Sequence, residues 1–293
     1  METRRLDLFV RIVEAGSVSR AARELGVAQP ALSQQLAVLE RELGASLLQR
    51  SAAGVTLTPA GQSLYARAQT ILRLVADLRD TARSRAGEVA GAAPVGILPT
   101  LASRLGEKLF LRLTAEAPLV QLQLMEAGEA ALLRALSDGS LDIVVISHRP
   151  RDRDVRAERL GAERLYVVAS SAFPHPGDLS LADLAALPWI VTRPTNSIRQ
   201  IVDATLAREG LAANVMAEID SLTIVLAAVT RGMGITVLPE GAVPADGGLR
   251  AAPFADAWRT LSVCWREPLA PSSARALRTL RELAAVLAPG GDG

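Results

Sequence analysis

The sequence has a single cysteine, Cys264. No internal disulfide can form, which fits a reducing compartment and makes the cytoplasm the expected location. Its two histidines, His148 and His175, are too few with one cysteine for any familiar metal-ligand spacing, so no metal site is expected. No run of about 20 uncharged apolar residues occurs, so no membrane span is expected. The first ten residues, METRRLDLFV, carry acids and no long apolar core, unlike a signal peptide. Also missing are GxSxG, the glycine-rich phosphate loop ending in lysine, and GxGxxG after a strand. Neither catalysis nor a cofactor is expected. Lys108 is the only lysine, so nearly every cation is arginine.

What is present is a large core. Of 293 residues, 49% are hydrophobic and 22% charged, enough for two or three folded domains. The net charge of +1 alone argues neither for nor against nucleic acid. Residues 1–90 hold 12 arginines and 9 acids, a mild local excess of positive charge.

Leu6, Phe9, Val10 and Val13 recur at helical spacing and predict a helix over residues 4–15. Gly16 and Ser17 end it, and Ser17 or Ser19 can cap a short second helix carrying Ala21, Ala22 and Leu25. Pro30 suits the first turn of a third helix, with Ala31, Leu32, Leu36, Leu39 and Leu43 as its buried stripe and Gly44 as its stop. Residues 47–50 and 55–58 flank a small turn and read as a two-stranded ribbon. Thr58-Pro59 then opens a helix running to about residue 86, some 40 Å long at 1.5 Å per residue. Its stripe of Leu64, Ile71, Leu74, Val75 and Leu78 needs a cover, and a second copy of the helix is the simplest one. Residues 87–93 (GEVAGAA) read as a linker. Beyond it, strands at 95–98, 120–126 and 141–147 alternate with helices at 102–115 and 130–137, and a second such unit follows. That alternation implies parallel sheets covered by helices.

Three short helices with a tight turn between the second and third make a helix-turn-helix, whose third helix enters the major groove by its N-terminal end. The stretch AQPALSQQL places uncharged polar groups there. Glutamine amides can pair with adenine edges, and serine can reach a base or a phosphate. Gln29, Pro30, Ser33 and Gln34 are therefore the candidate DNA contacts, joined by Ser17 and by Arg50, Ser51 and Thr56 on the ribbon, which would act as a wing.

Here the pattern becomes specific. Residues 4–65 resemble the DNA-binding domain of the LysR-type transcriptional regulators, on AGS at 15–17, AA at 21–22, QPALS at 29–33, LE at 39–40, LG at 43–44 and LTPAG at 57–61. Many members carry a basic residue where this chain has Gln34, which removes one contact and bears on operator preference. AQPALSQQL, LLQRSAAGVT and IDSLTIVLAAVTRGMGITVLPE are most similar to the subgroup around the nitrogen assimilation control regulator.

The resemblance implies an α/β chain in three parts. These are a winged helix-turn-helix over 1–58, a linker and dimerisation helix with hinge over 59–91, and an effector-binding domain over 92–293 like a type 2 periplasmic binding protein. Subdomain I would comprise 92–164 and 265–293, and subdomain II 165–264, with crossovers near 148–164 and 264–268. It further implies a homodimer through the linker helix, a homotetramer, double-stranded DNA with an imperfect inverted repeat, a small-molecule effector and contact with RNA polymerase. Effector contacts in the family gather at helix N-termini facing the cleft, where free N–H groups suit carboxylates. By position these are Thr100, Ser103, Ser147, Thr195, Ser197, Arg199 and Thr236. The plain alternative for each is a helix cap or a solvated loop residue. For the whole chain the alternative is an intracellular solute-binding module with no regulatory DNA target.

Overall fold

The computed structural model describes residues 2–51, 54–83, 89–150, 152–244 and 248–284. Three helices come first: α1 (Thr3–Ala15), α2 (Val18–Glu24) and α3 (Gln29–Leu43). They enclose Leu6, Phe9, Ile12, Leu32, Leu36 and Leu39. Ala31 and Leu43, expected in the buried stripe, are exposed instead. Ala31 lies about 100° around the helix from Leu32, and Leu43 is the last residue before the left-handed Gly44. Ser17 occupies the N-cap position of α2, but its side chain makes no capping bond.

The ribbon follows as β1 (Leu48–Ser51) and β2 (Gly54–Leu57), antiparallel, with Arg50 opposite Val55. It is pinned at both ends. Val55 N–H donates to Gly16 O at 3.0 Å, between α1 and α2. Glu40 on α3 accepts from Leu47 N–H at 2.7 Å. Thr58 caps α4 (Pro59–Arg83) by accepting from Gly61 N–H at 3.0 Å and donating to Ser46 O at 2.7 Å. Any Cβ at Gly61 would collide with the Leu47 carbonyl, which explains the glycine of LTPAG.

The stripe of α4 divides in two. Leu64, Tyr65, Ala68 and Leu72 pack into the three-helix core, so Leu64 is covered by its own chain. Ile71 and Leu78 remain exposed, at 38% and 69%.

The remaining chain forms two α/β halves. In the first, β3 (Gly91–Ile97), β4 (Val120–Glu126) and β5 (Ile143–Ile146) are parallel. They are covered by α5 (Glu107–Glu116) and α6 (Glu129–Ser137). The expected linker residues 91–93 belong to β3, paired with Val120–Leu122. Their small side chains permit close packing by the last helix, α10 (Pro271–Leu283), where Ser272 Oγ donates to Ala92 O at 2.6 Å. A short 3-10 turn and a π turn over residues 99–106 precede α5, so the helix expected from 102 starts regular only at Glu107.

In the second half lie α7 (Leu181–Ala186), β7 (Pro188–Val191), α8 (Ser197–Arg208), β8 (Asn214–Glu218), α9 (Leu222–Thr230) and β9 (Thr236–Pro239). Two long antiparallel strands, β6 (Arg156–Ser170) and β10 (Leu249–Trp265), belong to both halves. β10 pairs with β5 through Ser262–Trp265, and β6 pairs with β9 through Leu165–Val168. The return crossing therefore falls before Ser262, earlier than 264–268, because Cys264 and Trp265 already pair with β5 of the first half. The register shifts there, between Leu261 and Ser262.

The helical unit and the first half meet along α4. Arg73 Nη2 lies 2.5 Å from Asp142 Oδ1, and Ser273 Oγ donates to Asp142 Oδ2 at 2.6 Å. Gly139 brings its backbone so near that a Cβ would sit 2.5 Å from Ala66 O. No described helix is long and apolar enough to cross a membrane.

Candidate functional site

The first site is a surface. α3 presents Gln29, Pro30 and Gln34 to solvent, with Ser33 half-buried beside them. Among the described residues, no side chain of Gln29, Ser33 or Gln34 hydrogen-bonds within the chain. Their neighbour Gln35 differs, since it accepts from Arg5 Nε at 3.2 Å. Arg5 also pairs with Glu42 and so braces the far side of α3. The leucines point inward at every third or fourth residue, and this leaves the amides on the outer face. Ser51 and Thr56 are exposed on the wing, where Ser51 Oγ also reaches Gly54 O at 3.5 Å. Arg50 lies in β1, but its side chain is outside the described residues.

The second site is a cavity of about 360 Å³ between the two halves. Thr100, Thr195, Ser197, Arg199 and Thr236 all line it. Two other expected residues do not. Ser103 lies in the π turn and is exposed on the surface. Ser147 is buried behind the wall and donates its hydroxyl to Glu129.

The cavity wall is built at strand and helix ends. Asn196 caps α8 by accepting from Ile198 N–H at 2.9 Å, which leaves the Thr195 and Ser197 hydroxyls without partners among the described residues. Arg199, from the first turn of α8, donates to Asp203 at 2.8 Å and to Glu218 at 3.1 Å. Burial alone would lower its pKa, but the hydrogen bonds to these two carboxylates prevail and raise it.

At the floor stands a pair that the sequence did not suggest. Arg259 on β10 and Glu163 on β6 face each other at 3% and 1% exposure, with Arg259 Nε donating to Glu163 at 2.6 Å. Arg259 Nη2 also donates to Thr100 Oγ1 at 2.6 Å. Thr100 therefore touches the strand through which the halves are joined.

Glu129, Arg134, Arg193 and Asp220 complete the charged lining, and all were missed. Arg193 pairs with Asp220 at 2.5 Å. Glu129 was within reach of sequence reasoning, since Gly128-Glu129 follows the carboxyl end of β4, where open α/β sheets place their ligand contacts. Arg259 left no such signal, because it lies in the middle of a strand. His148 is 63% exposed, and its Nδ1 lies 2.7 Å from Glu129 Oε1. Among the described residues, no group of three or more metal-ligating side chains gathers.

Comparison with known proteins identifies the domains that carry these two regions. Residues 3–62 match the family described as "Bacterial regulatory helix-turn-helix protein, lysR family". Residues 86–285 match the "LysR substrate binding domain". The nitrogen assimilation regulatory protein nac of Klebsiella aerogenes is 37% identical over 243 residues, covering 83% of this chain and 79% of that protein. Among solved structures, ArgP from Mycobacterium tuberculosis superposes with a TM-score of 0.80 at 23% identity, covering 98% of both chains. A full-length OxyR variant from Pseudomonas aeruginosa gives 0.72 at 26% identity, covering 99% of this chain and 100% of that one. A free-standing solute-binding module is not favoured by these relatives. The chain belongs to the LysR family, as a DNA-binding transcriptional regulator with an effector-binding domain.

Proposed function

We propose that this regulator reads an imperfect inverted repeat in double-stranded DNA through Gln29, Ser33 and Gln34 of two copies. Ser17, Arg50, Ser51 and Thr56 would hold the phosphates. The observation that carries this reading is the outer face of α3, where uncharged amides and a hydroxyl have no hydrogen-bond partner among the described residues. Such groups are suited to base edges rather than to a core or a charged, solvated face. The exposed Ile71 and Leu78 of α4 supply an apolar seam for a second copy, and two-fold symmetry then sets two half-sites. Exposed Phe110 and Leu111 on α5, with Val215, Met216 and Ile224 in the second half, support further pairing into a tetramer.

The cavity between the halves is the effector site in this reading, for a small organic anion or an amino-acid-related metabolite. Closure of the halves would shift the spacing of the dimers, the DNA bend and contact with RNA polymerase, provided the effector binds the two states unequally. Likeness to the nac proteins supports nitrogen assimilation as the process under control.

The test is fluorescence anisotropy on the DNA upstream of its own gene and on scrambled DNA, across salt. Gln29→Ala should weaken specific binding by roughly 1–3 kcal/mol and leave random DNA unchanged. Equal weakening on both would remove Gln29 from base readout.

A further inference from the structure

Around the cleft cavity, most charges are already matched. Arg193 holds Asp220, Arg199 holds Asp203 and Glu218, and Arg259 holds Glu163. Two lining charges are left over, one of each sign, and both stand on α6. Glu129 is the acid: its carboxylate accepts from Ser147 and faces His148, and no arginine pairs with it among the described residues. His148 reaches Glu129 from outside the lining. Arg134 is the base, exposed, with no carboxylate partner among the described residues. Facing them across the cavity are the hydroxyls of Thr195 and Ser197 at the start of α8, unpartnered among the described residues.

These leftovers select a ligand. A dicarboxylate would find three of the four lining arginines already occupied by acids, and would set its second charge against Glu129. A simple amine would leave Arg134 unanswered. A molecule with one ammonium and one carboxylate answers both, and Glu129, the more buried of the two, gains most from a partner. Thr100 and Glu129 follow β3 and β4, adjacent parallel strands that end side by side at Ile97 and Glu126, so the wall is continuous beneath such a ligand. We propose that the cavity takes a free L-amino acid as its zwitterion, with Glu129 receiving the ammonium and Arg134 with the first turn of α8 receiving the carboxylate. This rests on the reading of the cavity as the effector site. Ser147 and His148 would act as positioning residues for Glu129.

The experiment is isothermal titration calorimetry on the purified full-length protein. The probes are each proteinogenic L-amino acid, together with succinate, 2-oxoglutarate and benzoate. At least one amino acid should bind, and its N-acetyl derivative and its methyl ester should each bind the native protein at least tenfold more weakly. Glu129→Gln, checked for an unchanged circular-dichroism spectrum, should lose at least tenfold toward the free amino acid and little toward the N-acetyl form. Amino-acid binding that is indifferent to acetylation overturns the proposal without any variant being needed. Binding of amine-free acids alone, weakened by Thr236→Val, overturns the zwitterion and keeps the cavity as effector site. Silence from every probe overturns both.

Discussion

Arg259 and Glu163 are opposite residues on the two strands that cross between the halves, and water reaches neither. A buried ion pair contributes little net stability, since desolvation offsets the attraction, but losing one partner strands the other's charge. Arg259→Met should therefore destabilise the effector domain by about 3–5 kcal/mol in urea unfolding. Arg259→Met combined with Glu163→Leu should recover most of that loss, and failure to recover it would show that the pair is more than charge balance. Cys264 gives a second prediction at this scale. Burial, with Glu129 adding to it, pushes its thiol up from 9.0 to about 12, although Arg149 pulls the other way. The folded chain keeps this proton where the unfolded chain has released it. The contribution is thus intact below pH 9.0 and is lost as pH rises toward about 12. The melting temperature of native protein relative to Cys264→Ala should fall as pH rises above 9.0, and at neutral pH the folded thiol should resist iodoacetamide.

Among the elements, α4 serves two masters by having two faces. Leu64, Tyr65, Ala68 and Leu72 finish the N-terminal core, while Ile71 and Leu78 face outward seven residues apart. Leu78→Glu should leave the melting of the N-terminal unit unchanged and shift sedimentation toward monomer, lowering apparent DNA affinity at least tenfold through lost bivalency. An unchanged oligomer would assign the pairing to other surfaces. Short-range chemistry made most elements legible in the sequence: leucines at helical spacing for α3, Thr58-Pro59 for α4, alternating β and α runs for the halves. Three elements escaped for physical reasons. α7 is only six residues long and announces itself just by the Ser180–Asp183 capping box. The start of β3 is glycine and alanine, which look like a linker until α10 is seen to need the space. The first part of β10, Leu249–Trp258, carries mixed exposed and buried residues, because its partner on β6 changes register between Pro253 and Trp258. In the cavity, Thr195, Ser197 and Arg199 at the start of α8 were legible, while mid-strand Arg259 depended on a partner 96 positions away.

For the molecule as a whole, the order of elements in the chain differs from their grouping in space. The first half contains β3 to β5, then the far end of β10, then α10. A chain cut after Leu269 would lack Ala276, Leu277, Leu280 and Leu283 from that core, as well as Ser273 beside Asp142. Such a truncation should keep a cooperative melt from the three-helix unit while the first half binds a hydrophobic dye; an intact effector-domain melt would show that α10 is dispensable. The bond from Ser272 to Ala92 spans 180 positions. During synthesis, the DNA-reading unit is complete while most of the chain has yet to be made. The half nearest to it must then wait, with its apolar interior open, until the last helix emerges. The regulator thus acquires its reader tens of seconds before its sensor, at roughly 5–20 residues per second, and the unfinished half is where chaperones would find it.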